Sequence, residues 1–170
     1  MPVTLPSKPN TEPASARTRS RRRRKVLGVV GVLLATFTLS GLLTACESTA
    51  IDRAAVIDRI NASRSENGLA TLSENLTLHL KADAWAGRLR DECRIFHSNL
   101  ADGAPQEWRK LGENVGRGGS NDQIHTAYLN SPGHRANILD PSFNQVGAGA
   151  VWGDCNGART LFTVQVFMRS

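Results

Sequence analysis

Apolar residues recur at helical spacing in three stretches of this chain. The first begins at Ile51 and ends before Gly68, a common helix stop. The second runs from about Glu74 to Arg94, and the third from about Asn121 to Asn130. The spacing predicts these buried faces: Ala54, Ala55, Val56, Ile57 and Ile60 in the first helix, Leu76, Leu80, Ala84, Trp85, Leu89 and Cys93 in the second, and Ile124, Ala127 and Tyr128 in the third.

The C-terminal stretch has a period of two instead. Residues 146–152 and 161–168 alternate along the chain, and Gly153 to Ala158 join them. This pattern predicts a β-hairpin. The second run has one wholly apolar face, which belongs in the core: Phe162, Val164, Val166 and Met168. Helices followed by strands predict an α+β domain, with helices packed on an antiparallel sheet.

The N-terminal part has the pattern of an export signal. Arg21 to Lys25 form a basic block, Val26 to Ala45 carry no charge, and small residues precede Cys46. Leu-Thr-Ala-Cys resembles the lipobox of bacterial lipoproteins, which implies lipidation of Cys46. An uncleaved signal anchor is the alternative, and both the general and the twin-arginine export routes stay open.

These features divide the chain into four predicted parts. Residues 1–25 form a disordered basic n-region, 26–45 the apolar signal segment, 46–50 the lipidated cysteine and a short tether, and 51–170 one folded domain. The domain is long enough to bury a core of its own.

The net charge of +6 comes from the predicted signal. Residues 1–45 hold eight of the 21 Lys and Arg and one of the 15 Asp and Glu, so they carry +7 and the remainder −1. The domain therefore lacks the basic bias that nucleic-acid binding requires, and we expect no nucleic-acid partner.

Cys93 and Cys155 remain once Cys46 is set aside. In an oxidising compartment such a pair is most simply a disulfide, and two buried free thiols are the alternative.

Three short motifs carry candidate chemistry. Ser131 is a suitable N-cap before Pro132, so a short helix should place His134 in its first turn. The second predicted helix delivers His97 near its end, and Glu113 lies between the two histidines in a Gly-Glu-Asn-Val-Gly turn or strand. Two imidazoles and a carboxylate suit a divalent ion such as zinc.

Together the three motifs, Phe-His-Ser, Gly-Glu-Asn-Val and Ser-Pro-Gly-His-Arg-Ala-Asn-Ile-Leu, resemble the bacterial SCP-like extracellular branch of the CAP superfamily. That superfamily includes cysteine-rich secretory proteins, antigen 5 and plant pathogenesis-related proteins. The resemblance runs from about Ile51 to the C-terminus. It implies a three-layer α-β-α sandwich with a central antiparallel sheet, and a cleft at which His97, Glu113 and His134 can bind metal.

The resemblance further implies that Ser98, Asn114, Ser131 and Arg135 line the cleft. One departure matters, because many animal and plant members carry a second Glu, in a Trp-x-x-Glu pattern. Here Tyr128 and Ser131 occupy those two positions. Zinc or another divalent ion should therefore bind weakly.

The trio has three interpretations. It is a ligand cleft with weak metal binding, a hydrogen-bonded network that only holds the fold, or a hydrolytic centre with Glu113 as base. Ser98 lies outside any nucleophile elbow and should point away from His97. His125 should be a surface residue.

We therefore expect an exported binding module, tethered as an outward-facing lipoprotein of the cell membrane, with partial secretion left open. Its ligand would be a lipid, a small apolar molecule or a protein. A metal-dependent hydrolase of peptide or envelope material and a structural envelope protein are the alternatives.

Overall fold

The computed structural model describes the backbone of residues 37–170 and the side chains from Thr49 onward. The basic n-region, most of the apolar signal segment and the side chain of Cys46 lie outside the described residues. Over the described part, no helix combines the length and apolar character needed to cross a bilayer.

Four helices and four strands follow one another along the chain. The helices are α1 (Phe37–Glu66), α2 (Leu76–Asp91), α3 (Asn121–Asn130) and α4 (Pro132–Ile138). The strands are β1 (Ser73–Glu74), β2 (Lys110–Gly118), β3 (Gln145–Cys155) and β4 (Ala158–Arg169). Helix α1 passes without a break through residues 46–50, the predicted tether, and the division of the chain at that point stays a prediction.

The strands form one sheet in the order β1-β3-β4-β2. Strand β4 pairs antiparallel with both β2 and β3, and the two-residue β1 joins β3 in parallel. The hairpin between β3 and β4 turns at Asn156 and Gly157, which have φ angles of 52° and 79°. This pair of positive angles is typical of a type I′ turn, and Asn-Gly is its preferred sequence. The predicted hairpin is confirmed, but its turn is shorter than the predicted connection, because β3 continues to Cys155 and β4 begins at Ala158.

Two apolar cores lie on opposite faces of the sheet. On one face α2 packs through Leu78 and Leu89 against Val164 and Val166 of β4. On the other, α1, α3 and α4 cover a second core that includes Phe167. Alternate residues of β4 enter the two cores because successive side chains of a strand point to opposite faces. The predicted α-β-α sandwich is confirmed.

Helix α2 lies unusually close to β3, and two glycines permit this. A Cβ added to Gly149 would lie 2.3 Å from the carbonyl oxygen of Ala82, and one added to Gly147 would lie 2.2 Å from the carbonyl carbon of Leu78. Both neighbours are backbone atoms that cannot rotate away. Any side chain at these positions would push the helix off the sheet.

Helix α2 differs from its prediction in start and orientation. Asn75 is the N-cap and accepts a bond from the Leu78 amide at 3.2 Å, so the helix begins at Leu76, and Glu74 belongs to β1. The predicted buried face is wrong at Leu76 and Leu80, which are 72% and 63% exposed, and at Ala84, which is exposed as well. The residues that pack on the sheet are Leu78, Ala82, Ala86 and Leu89. Both sets have helical spacing, so periodicity alone could not choose between them.

Helix α3 has the predicted bounds but a narrower buried face. Ile124 and Tyr128 are buried, whereas Ala127 is exposed.

A disulfide joins Cys93, just after α2, to Cys155 at the end of β3, with the two Cα atoms 5.6 Å apart. The predicted pairing is confirmed.

Candidate functional site

The carboxylate of Glu113 fastens the segment after α2 to strand β2. Its side chain is only 1% exposed. Oε1 accepts hydrogen bonds from His97 Nδ1 at 2.8 Å and from the Ser98 amide at 2.9 Å, and Oε2 accepts one from Ser98 Oγ at 2.6 Å. A buried carboxylate needs such partners. His97 and Ser98 thus converge on one group, and the expectation that they diverge is wrong because this segment is not a strand.

The carboxylate also fixes the tautomer of His97. Because Nδ1 faces an acceptor, it carries the proton, and Nε2 points away from the Glu113 carboxylate. The His97 side chain is 59% exposed, so its outer nitrogen can meet a ligand or a metal.

A lysine that the sequence did not single out holds the next loop. Lys81 of α2 donates from Nζ to the carbonyl oxygens of Asn99 at 2.9 Å and Asp102 at 2.6 Å. Burial lowers the pKa of Lys81, while the charges of Glu113 and Asp102 act in the opposite direction. This contact anchors the loop that begins at Ser98. A lone lysine in an amphipathic helix carries no sequence signal for such a role.

The other face of β2 positions helix α4. Asn114 donates from Nδ2 to Gln165 Oε1 at 2.9 Å and to the His134 carbonyl oxygen at 3.1 Å. Asn137 donates to Asn114 Oδ1 at 2.9 Å and to the Glu113 carbonyl oxygen at 3.2 Å. Asn114 and Gln165 are fully or almost fully buried. Asn114 therefore faces the inside of the fold and supports the main chain at His134.

The His134 ring packs edge-on against Tyr128, with ring centroids 5.0 Å apart. Burial lowers the pKa of His134, and the positive charge of a protonated His97 lowers it further. Tyr128 bonds to Thr163 through its hydroxyl, at 3.0 Å from Oγ1, and burial raises its pKa above the ordinary range. Both the burial and the neighbouring charge thus favour the neutral imidazole of His134, and burial of Tyr128 favours its protonated phenol.

A groove of about 300 Å³ lies between the segment after α2, which carries Ile95, and the helices α3 and α4. Most of its wall is apolar, and His134 and Ser131 stand at one end. Ser131 occupies the N-cap position of α4, but its side chain makes no capping bond, contrary to the prediction. The lining residues are Ile95, Val115, Gly116, Arg117, Gln123, Ile124, Ala127, Tyr128, Ser131 and His134.

Three other residues named from the sequence, Ser98, Arg135 and His125, lie outside the lining of this groove. Ser98 lines a second groove, of about 320 Å³, beside Lys81 and Trp85. Arg135 is exposed on α4. His125 is half-buried rather than a surface residue, because its Nε2 lies 2.9 Å from Ser63 Oγ of α1.

The predicted trio of His97, Glu113 and His134 offers few free atoms that could coordinate a metal ion. Among the described side chains, no three His, Cys, Asp or Glu are arranged to hold an ion. Both Glu113 oxygens already accept hydrogen bonds, which leaves His97 Nε2 and the imidazole of His134 as the groups suited to coordination.

Comparisons with known proteins agree with this fold. The sequence model of the CAP, or cysteine-rich secretory protein, family matches residues 57–167. The uncharacterized protein YkwD of Bacillus subtilis (strain 168) is 32% identical over 105 residues, which are 56% of this chain and 41% of YkwD. This chain thus matches less than half of that relative.

Two solved structures share the fold. An extracellular protein with an SCP domain from Bacillus anthracis str. Ames has a TM-score of 0.58 at 23% identity, over 72% of this chain and 41% of that one. An outer surface protein of Borrelia burgdorferi has a TM-score of 0.55 at 20% identity, over 67% of this chain and 89% of its own. Since the family model covers well over half of its residues, this chain belongs to the cysteine-rich secretory protein (CAP) family.

Proposed function

We propose that this protein is an exported binding module that holds the apolar part of a lipid, small molecule or protein in the groove between Ile95 and Ala127. The observation that carries the proposal is the groove itself. Its volume of about 300 Å³ is at the lower end of the range for ligand pockets, about 300–1,000 Å³. Apolar walls with a few polar groups at one end are typical of such pockets.

The groove is preorganised, which supports a binding role. Glu113 fixes the wall that carries Ile95, and Asn114 fixes the wall that carries His134. The two residues are adjacent in β2 and point to opposite faces of the sheet. A ligand therefore meets two walls held by buried hydrogen bonds, and little conformational entropy of the protein is lost on binding.

The location follows from the N-terminal pattern. A basic block, an uncharged segment and Cys46 support export and a lipid anchor on the outward side of the cell membrane. Relatives described as extracellular or outer-surface proteins are consistent with export. The anchor would keep the groove near the membrane.

A divalent ion such as zinc would be held by His97 Nε2 and His134, and it would supply Lewis acidity at the end of the groove. Glu113 would act through the hydrogen bond to His97 Nδ1, which orients that imidazole. With two protein ligands we expect weak binding. Glu113 is not the general base in this proposal, because both its oxygens are engaged.

Blocking the groove tests the binding role. The fluorescent apolar probe 1-anilinonaphthalene-8-sulfonate should bind the purified protein and lose that binding in Ala127→Trp, whose new side chain fills the groove. Ala136→Trp is the matched control, since Ala136 is exposed on α4 outside the groove lining. Equal dye binding in both variants would contradict the proposal.

Zinc calorimetry tests the metal separately. The wild type should show weak binding heat that disappears in the His97→Ala/His134→Ala variant. Glu113→Gln should weaken binding without abolishing it. Unchanged heat in the double variant would place zinc elsewhere on the protein.

A further inference from the structure

Strand β2 has one unpaired edge. The sheet order β1-β3-β4-β2 puts it at the end of the sheet, and β4 pairs with one side of it. In the described part of the chain no strand pairs with its other side. Such an edge presents a row of main-chain donors and acceptors that can pair with another extended segment.

The register shows which groups face outward. The amide of Asn144, beside β3, donates to the carbonyl oxygen of Met168 at 3.0 Å, so Met168 and every second residue of β4 turn toward β3. The residues between them bond to β2, at Gly112, Asn114, Gly116 and Gly118. The amides and carbonyls that point away from the sheet therefore belong to Leu111, Glu113, Val115 and Arg117.

The contact made by Asn137 agrees with this assignment, because it reaches the outward carbonyl of Glu113 from α4. Val115 and Arg117 supply the next two outward pairs of groups. Both residues line the groove. Ile95 belongs to the α2 side of the sheet and Ala127 to the other side, and a groove that touches both layers and the strand between them must lie along the open edge.

The far end of the groove is positively charged. Arg117 lines this groove and also an adjoining one of about 370 Å³, where Arg159 joins it. Within the described residues neither lining contains Asp or Glu, although Arg159 also lies over the Trp152 ring and lines a further groove beside Asp154. Arg117 already donates from Nη1 to the Cys93 carbonyl oxygen at 2.7 Å, which holds its guanidinium at this end. An acidic group is the complement of this charge.

We propose that the open edge of β2 binds an extended acidic peptide by β-strand addition, with peptide main-chain groups paired to Val115 and Arg117 and a peptide carboxylate near Arg117 and Arg159. The inference rests on the proposed function, since it uses the same groove. It names the ligand class, because a lipid tail would leave the outward amides and carbonyls of β2 unpaired. Alternate side chains of the peptide would enter the apolar groove.

The probes are two capped hexapeptides of alternating Val and Thr with a Glu at the C-terminal or N-terminal end, because either strand direction is possible. Titration of the ¹⁵N-labelled protein should shift the amide resonances of Val115 and Arg117. N-methylation of a central peptide amide removes one hydrogen bond and should weaken binding by a few-fold to about tenfold. If neither hexapeptide shifts these two amides, the proposal is overturned.

A protein variant tests the main-chain contact from the other side. Val115→Pro removes an outward amide without removing a bond to β4, and proline is tolerated at such edge positions. Its matched control is Val115→Ala, which also trims the side chain but keeps the amide. We expect Val115→Pro to lose peptide binding and Val115→Ala to retain it. Equal affinities would overturn strand addition.

The charge contribution is tested by replacing the peptide Glu with Gln. Wild-type protein should prefer the Glu peptide, and Arg159→Gln should reduce that preference. Dye binding distinguishes the two proposals. If the wild-type protein binds the dye but not the peptide, strand addition is overturned and the groove remains a site for apolar ligands. If it binds neither dye nor peptide, the binding module is overturned as well.

Discussion

Ser98 Oγ donates a 2.6 Å hydrogen bond to the carboxylate of Glu113, which also accepts a 2.9 Å bond from the amide of the same serine. One residue therefore uses both its side chain and its main chain to hold a buried charge. Together with His97, it supplies all three hydrogen bonds that the carboxylate receives from the segment after α2.

Glu113→Gln tests how much this contact stabilises the fold. The amide cannot accept all three bonds, and its NH₂ group would face the donor of Ser98. We expect the free energy of unfolding in urea to fall by about 1–3 kcal/mol, the usual cost of an unsatisfied buried polar group. The control Glu107→Gln is exposed and should stay within about 0.5 kcal/mol of the wild type. Matching values for the two variants would mean that the carboxylate does not hold the segment.

Gly149→Ala and Gly87→Ala form a matched pair. The new Cβ at Gly149 would meet the Ala82 carbonyl oxygen at 2.3 Å, whereas at Gly87 nothing lies within 4 Å. We expect Gly149→Ala to destabilise by about 3 kcal/mol or more, because two backbones must separate. Gly87→Ala lies within helix α2 and should stabilise by about 0.5–1 kcal/mol. Thermal unfolding of both variants checks the prediction, and a stable Gly149→Ala protein would show that α2 has room to move.

His125 predicts a pH dependence of stability. Burial lowers the pKa of His125 and the charge of Arg59 lowers it further, against the opposing charges of Asp122 and Glu66. An unfolded histidine titrates near pH 6.5. Below that pH the unfolded state binds a proton that the folded state resists, so stability is complete above about pH 6.5 and falls as the pH decreases.

The measurement is the free energy of unfolding of wild type and His125→Gln between pH 7.5 and 5.5. The wild type should lose more stability than the variant over this interval. His134, whose pKa burial also lowers, leaves the variant with some remaining dependence. Parallel curves would show that His125 keeps its ordinary pKa in the folded protein.

Lys81→Met should release the loop after Ser98. The variant loses both bonds to the carbonyl oxygens of Asn99 and Asp102 but keeps a similar apolar stem. Amide hydrogen exchange between residues 99 and 104 should become faster, while exchange in β4 stays unchanged. Arg135→Met serves as the control, since Arg135 is exposed on α4. Unaltered exchange in the loop would show that Lys81 does not anchor it.

The sequence predicted the fold well where the pattern was unambiguous. Period-two alternation in β3 and β4 has one interpretation, and the helix bounds of α3 follow from polar flanking residues. The orientation of α2 could not be predicted, because Leu76 and Leu80 have the same spacing as Leu78 and Ala82. The choice depends on two glycines in β3 that are distant in sequence and let the backbone of α2 approach.

The candidate site was predicted in part for a similar reason. His97, Glu113 and His134 stand out by residue type, and the structure joins the first two directly. Lys81, Asn137 and Gln165 act through contacts across 18 to 51 positions of the chain, and each is an ordinary polar residue in its own segment. Only the folded backbone shows that Asn114 supports α4 and does not face the groove.

Because adjacent residues of β2 brace the two walls from inside the fold, part of the groove surface is free of any role in holding the walls together. Ala127 is exposed, and Ser131 makes no capping bond. Substitutions at such positions can change ligand preference without loss of the brace at Glu113 and Asn114. The same scaffold can therefore evolve new specificities through a few surface exchanges, while Gly147 and Gly149 tolerate none.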